Sequence, residues 1–208
     1  MRSVIISAWR HCDLAGRLDI IVIGLLSLAA WYIIIEKLLV FRDIRLKHLL
    51  FDETMARGEQ PARLNSPLHN VFAYGRRLVA SGHISGERLL LMLERYAAQE
   101  LEGAARNLGF LVTVTAVCPF LGLLGTIWGL LIAFNSIAIS GSSSIGVVAS
   151  GVAEALITTV AGLLVAIPAA AAHSYFAERL RTLAVGIDLR LPDIAAHLES
   201  VTRDHGTP

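Results

Sequence analysis

The sequence predicts an all-α membrane protein: three transmembrane helices with long cytoplasmic helical extensions. Three observations carry this. Of 208 residues, 55% are apolar, and the mean hydropathy is +0.63. Charged residues make up 17%, against about 25% in an average soluble chain. The apolar residues also gather in three runs, at 18–41, 108–139 and 145–176. Each run reaches the roughly 20 residues a helix needs to cross a bilayer.

Taken in order, residues 1–17 precede the first span, 18–41, LDIIVIGLLSLAAWYIIIEKLLVF. Only Asp19 near its start and Glu36 with Lys37 near its end interrupt it. The run is too long for a signal-peptide core and lacks a small-residue cleavage site, so it reads as a retained anchor. Residues 42–107 mix charge with apolar periodicity: Leu89, Leu90, Leu93, Tyr96, Ala97 and Leu101 recur at helical spacing. Ser85 followed by Glu87 and Arg88 reads as a helix start, Pro61 and Pro67 as breaks, and Gly82 as a turn. A helical hairpin is expected here, its second arm running directly into the second span. Its apolar stripe reads as bundle packing rather than a ligand site.

The second span, 108–139, and the third, 145–176, exceed the membrane requirement by roughly ten residues each, so tilt or projection beyond the lipid is expected. Residues 140–144, SGSSS, form an uncharged turn between them. The tail, 177–208, is expected to continue as a mixed-charge helix from Glu178 until Pro192.

Orientation follows the basic residues. Arg42, Arg45 and Lys47 crowd the exit of the first run, Arg106 precedes the second, and Arg179 and Arg181 follow the third. The positive-inside rule then puts 42–107 and the C-terminus in the cytoplasm, with the N-terminus and the SGSSS turn facing outward. Arg2, Arg10 and Arg17 run against this, accompanied by Asp13 and Asp19.

Several function classes find no support. A net charge of +1 without a basic block suggests no nucleic-acid partner. Two cysteines, Cys12 and Cys118, make neither a disulfide framework nor a metal spacing. His11, Cys12 and Asp13 are consecutive and converge poorly on one ion. No P-loop, HExxH or GxSxG occurs, and Ser142, Ser143 and Ser144 lack an evident base. Gly122, Gly125 and Gly129 do not have GxGxxG spacing and follow no strand; inside an apolar run they read as small residues that let helices approach. No enzyme activity, cofactor or metal is expected.

The candidate chemistry lies in the spans. Glu154 is the one carboxylate in the third run, and a carboxylate at membrane depth is rarely kept without a partner or a task. No arginine lies in the runs, and Lys37 and His173 sit near span ends. Three readings stay open for Glu154: protonated and hydrogen-bonded, facing a polar lumen, or meeting another chain. Gly151, Ala155, Thr158, Gly162, Ala166 and Ala169 follow at steps of three or four and make a small-residue stripe for helix packing. Thr159, five residues from Glu154, is about 140° away around an ideal helix, so the two do not share one narrow face of a straight helix. Thr126 either contributes to a polar path or bonds back to its own helix. Pro119 and Pro168 are expected to kink the second and third spans.

Two segments, PFLGLLGTIWGLLIAF at 119–134 and GVAEALITTVAGLLVAIPAA at 151–170, resemble the paired signature of the ExbB/TolQ family, within the MotA/TolQ/ExbB proton channel family. AAWYIIIEKLLVF at 29–41 is similar to that family's opening helix. The specific part covers about fifty residues and the resemblance the whole topology. It implies an inner-membrane subunit with a periplasmic N-terminus, assembling as a homopentamer whose second and third helices line a pore. An ExbD- or TolR-like dimer would place its transmembrane helices, each carrying a proton-binding aspartate, in that pore and act on a TonB- or TolA-like protein. The family's polar pore positions map onto Thr126, Glu154 and Thr159. Thr158 with Thr159, and the AFN at 133–135, tilt the resemblance toward ExbB. The four-span flagellar stator relatives fit less well.

Overall fold

The structure, a computed structural model, describes residues 14–57, 65–81, 86–140 and 145–205. Among them every regular element is a helix: α1 (Leu14–Ala56), α2 (Pro67–Ala80), α3 (Glu87–Ala105), α4 (Leu108–Ser140), α5 (Ile145–Asp188) and α6 (Leu191–His205). Three stretches of helix among the described residues are long and apolar enough to cross a membrane. The chain divides into two compact units. One comprises Met1–Ile35 with Asn107–Ser174; the other comprises Glu36–Arg106 with Tyr175–Pro208.

In the first unit α4 and α5 carry small residues where they meet, and α1 packs on them. The uncharged sequence of α4 leaves hydrogen bonding to the helix backbone and a few hydroxyls, the only arrangement a lipid solvent tolerates. Both α4 and α5 continue through their internal prolines, Pro119 and Pro168.

The second unit has a water-soluble type of core. Phe51 of α1, Leu68, Val71 and Phe72 of α2, Leu89, Leu93 and Ala97 of α3, Ile187 of α5, and Leu191, Ile194 and Leu198 of α6 are buried together. Spacings of three and four on α2, α3 and α6 produce the apolar faces that meet here. At Gly75 the helices approach so closely that a Cβ would stand 2.6 Å from Leu198 Cδ1 and 2.8 Å from Leu93 Cδ2. Tyr74 and Tyr96 stack at 4.3 Å, and Asn70 donates to Glu100 Oε2 at 2.9 Å.

Three expectations need correction or fall elsewhere. The hairpin's second arm does not run directly into the second span: α3 ends at Ala105 and Asn107 takes a left-handed φ of 68° before α4 begins. Asparagine tolerates that region better than most side chains, so it can separate two helices without glycine. The tail helix does not run on to Pro192. It stops at Asp188, and Pro192 sits in the first turn of α6, where a missing N–H costs nothing. Ser85 lies outside the described residues, as do Pro61, Gly82, Ser142, Ser143 and the His11–Cys12–Asp13 run; the residue preceding α3 is Gly86, with φ 62°.

Candidate functional site

The seam between α4 and α5 is built on glycine. A Cβ on Gly122 would stand 2.8 Å from Thr159 Cα and 2.9 Å from the Thr158 carbonyl oxygen. One on Gly129 would meet Ala155 Cβ at 2.9 Å, and one on Gly151 would meet Ala133 Cβ at 2.8 Å. At Gly162 a Cβ would collide with the Cys118 carbonyl oxygen. Gly125 is enclosed by side chains instead, with Thr158 Oγ1 at 2.5 Å and Asp19 Oδ2 at 2.7 Å from the position a Cβ would take. Small residues at these places let the two backbones touch, the packing available where lipid supplies no hydrophobic drive between helices.

The close approach brings hydroxyls onto backbone. Thr159 Oγ1 donates across the seam to the Gly122 carbonyl oxygen at 2.9 Å. Thr158 Oγ1 donates to Ala155 O at 2.7 Å and reaches Gly122 O at 3.3 Å. Thr126 Oγ1 donates to Leu123 O of its own helix at 2.7 Å, which is the back-bonding alternative. Thr126 is 9% exposed and Thr158 3%. Thr126 and Thr159 therefore both belong to this helix pair, and their hydroxyl protons are already engaged. Glu154 lies within α5, and its side chain falls outside the described residues.

Two charged groups carry more than the sequence signalled. Lys37, 3% exposed, donates from Nζ to the Ala104 carbonyl oxygen at 2.9 Å. A cation at the last turn of α3 meets the orphan carbonyls and the negative end of that helix. Asp19 is 8% exposed, and among the described residues neither carboxylate oxygen has a hydrogen-bond partner. In one dimension these residues are only charges near the ends of an apolar run; their neighbours depend on helix register, which periodicity does not report.

The second unit holds a titratable cluster. Arg190 donates from Nε to Asp52 Oδ1 at 2.7 Å and from a second guanidinium nitrogen to Oδ2, while a third nitrogen donates to Gly186 O at 2.7 Å. The Asp52 bonds hold the Arg190 guanidinium still more firmly protonated. Burial, then the nearby Arg190 charge, pushes His48 down to about 4, with Asp52 pulling the other way. Burial and then Lys47 lower His69, whose Nδ1 lies 2.7 Å from Ser66 Oγ. Among the described residues no group of three or more His, Cys, Asp or Glu could hold a metal ion.

Comparison with known proteins agrees with this architecture. The chain is 42% identical over 94 residues to the biopolymer transport protein ExbB of Salmonella typhimurium, covering 45% of this chain and 38% of that protein. It is 39% identical over 119 residues to ExbB of Pseudomonas putida, 57% of this chain and 35% of that one. With the Tol-Pal system protein TolQ of Haemophilus influenzae it shares 28% identity over 185 residues, 80% of this chain and 81% of that one. The chain thus spans little more than a third of the two ExbB relatives and most of the TolQ relative. A family model matches residues 63–188, more than half of the chain, from the segment before α2 to the last residue of α5. With three apolar helices, two of which meet in a glycine-built seam inside the matched region, the chain belongs to the MotA/TolQ/ExbB proton channel family.

Proposed function

We propose that the chain is an inner-membrane proton-channel and stator subunit that, with an ExbD- or TolR-like partner, converts proton motive force into mechanical work. Five copies surround a lumen lined by α4 and α5, and the partner's transmembrane helices occupy it. The N-terminus faces the periplasm and the C-terminus the cytoplasm, as the basic flanks at 42–47 and 179–181 suggest. The observation that supports this best is the α4–α5 seam. Its glycines bring Thr159 onto Gly122, while large apolar side chains such as Phe120, Leu124, Ile127, Leu131 and Ile167 stay exposed on one chain. Surfaces of that kind suit lipid and neighbouring copies.

Thr126, Glu154 and Thr159 are the proposed lumen positions. Gly122, Gly125, Gly129, Gly151, Ala155 and Gly162 set helix spacing, and Pro119 and Pro168 bend the two helices. One elementary charge crossing 100 mV supplies roughly 2.3 kcal/mol, so several protons per stroke would do useful work. A proton reaching a partner aspartate from the periplasm would neutralise it, let it pass the apolar wall and leave on the cytoplasmic side.

The work served is TonB-dependent outer-membrane transport, the reading toward which Thr158 with Thr159 and the AFN at 133–135 tilt. The Tol-Pal envelope system is the second reading, favoured by the near end-to-end match to a TolQ. Proton flux into vesicles holding the chain with its partner tests conduction. Flux unchanged in both Glu154→Ala and Thr159→Ala would remove these residues from the path, and absence of flux from the intact complex would leave a non-conducting scaffold. Native mass should show five copies. Complementation of strains lacking one or the other system separates TonB from Tol work.

A further inference from the structure

Asp19 lies one residue inside its own apolar run, yet it packs against the middle of the other two. Its Oδ2 and Thr158 Oγ1 both crowd the position of a Gly125 side chain, and Gly125 and Thr158 stand near the centres of the runs 108–139 and 145–176. The carboxyl is therefore at membrane depth, enclosed by α1, α4 and α5. Both its oxygens are buried without a hydrogen-bond partner among the described residues. An ionised group left so is among the costliest arrangements in a bilayer, and such residues persist with a counter-charge, a metal or a proton.

Among the described residues the packed helices supply Asp19 with no hydrogen-bonded counter-charge. α4 carries no charged residue from Leu108 to Ser140, its titratable side chain being the Cys118 thiol. On α5, before His173, the charged residue is Glu154, an acid whose side chain lies outside the described residues. On α1, Arg17 is two residues away and is engaged in an interaction of its own, and no hydrogen bond joins it to Asp19. A metal ion fits poorly. Hard cations take six or more oxygens, and the side-chain oxygen that Gly125 brings beside Asp19 is that of Thr158, in a space too small for a methyl group.

A proton needs only one acceptor. The Thr158 hydroxyl hydrogen is committed to Ala155 O at 2.7 Å, so its oxygen, which shares the space at Gly125 with Asp19 Oδ2, keeps acceptor capacity. We propose that Asp19 is a proton-exchange site inside each subunit: its carboxylate binds one proton to become the neutral acid, whose O–H then donates to Thr158 Oγ1, and releases it again. Charge in this pocket then changes with occupancy, so proton binding alters how tightly α1 packs on the α4–α5 pair. The site sits among one chain's own helices and needs no partner aspartate.

The test is infrared difference spectroscopy on the full chain in lipid vesicles, following the carboxylic C=O stretch of a buried protonated acid through a pH titration. The titrating band is expected in the wild type and in Glu154→Gln, and lost in Asp19→Asn, which keeps the shape without the proton. Thr158→Val, which keeps the volume but removes the acceptor, should move the midpoint about one pH unit toward acid, a tenfold loss of proton affinity. A band of equal amplitude in Asp19→Asn overturns the proposal. So does a midpoint unmoved by Thr158→Val, or displacement of the band by sodium at fixed pH, which would make the site a metal-cation site. The inference rests on the membrane placement of the proposed function but not on conduction. Vesicles that show the Asp19 band without proton flux would remove the channel reading and leave this one standing.

Discussion

Replacing Gly122 with alanine tests the α4–α5 seam at its tightest hydrogen-bonded point. The new methyl carbon would begin 2.8 Å from Thr159 Cα, 2.9 Å from Thr158 O and 3.3 Å from Thr159 O. All three are backbone atoms, so no rotamer change relieves the contact and the helices must separate by several tenths of an ångström. Overpacking of this kind costs about 1–3 kcal/mol. Separation also lengthens the 2.9 Å bond from Thr159 to Gly122 O, a loss of roughly 0.6 kcal/mol for a typical bond between membrane helices. Against this, alanine is favoured over glycine within a helix by about 1 kcal/mol. The net expectation is a destabilisation of about 0.6–2.6 kcal/mol, which lowers Tm by about 1–10 °C for a chain of this size. Gly24→Ala is the control, because nothing lies within 4 Å of its Cβ position. It should leave Tm unchanged or slightly raised. Tryptophan fluorescence during heating of the purified protein in detergent reads both. A Gly122→Ala protein as stable as Gly24→Ala would refute the close backbone contact on which the seam depends.

Other consequences are open to measurement. His48 sits at about 4 in the folded chain against 6.5 when unfolded, so the unfolded state binds the extra proton. The stability it contributes is complete above pH 6.5 and lost as pH falls toward 4, about 2 kcal/mol after allowing for solvent screening; a denaturant series should show His48→Gln flattening that slope, and an equally steep slope in the variant would place its cause elsewhere. Lys37→Met leaves the Ala104 carbonyl without its donor and should lower stability by about 1–3 kcal/mol in equilibrium unfolding. Arg190→Lys cannot span both Asp52 oxygens and Gly186 O together, so a loss of about 1 kcal/mol is expected by the same method, with no loss arguing that the fork is idle.

Much of the architecture is visible in one dimension because the solvent is visible there. Runs of apolar residues specify helices that must satisfy their own backbone, and three such helices lie among the described residues. Leu89, Leu93 and Ala97 recur on one face, and that face is buried. Register between helices is another matter. Asp19 and Lys37 read as charges near the ends of a run, while their neighbours, Gly125 and Thr158 for one and Ala104 for the other, come from residues 67 to more than 130 positions away. Pro192 illustrates local ambiguity: proline ends one helix as readily as it begins the next, and here it lies in the first turn of α6. The two-residue break at Arg106 and Asn107 depends on one left-handed asparagine within an otherwise continuous helical pattern.

The threonines decide what kind of acid this seam can receive. Thr126, Thr158 and Thr159 each direct their single hydroxyl hydrogen to a backbone carbonyl, at 2.7, 2.7 and 2.9 Å. What remains on each oxygen is acceptor capacity. An ionised carboxylate has only acceptors and gains nothing from such a wall, whereas a protonated carboxyl can donate into it. In the proposed mechanism the seam therefore favours the neutral form of any acid that passes it, whether a partner aspartate in the lumen or Asp19 within the subunit. Thr159→Val keeps the volume and removes the acceptor, and it also frees Gly122 O. Thr159→Ser keeps both. Proton flux in the complex should fall in the first variant and persist in the second. Equal flux in the two would show that the hydroxyl serves packing alone.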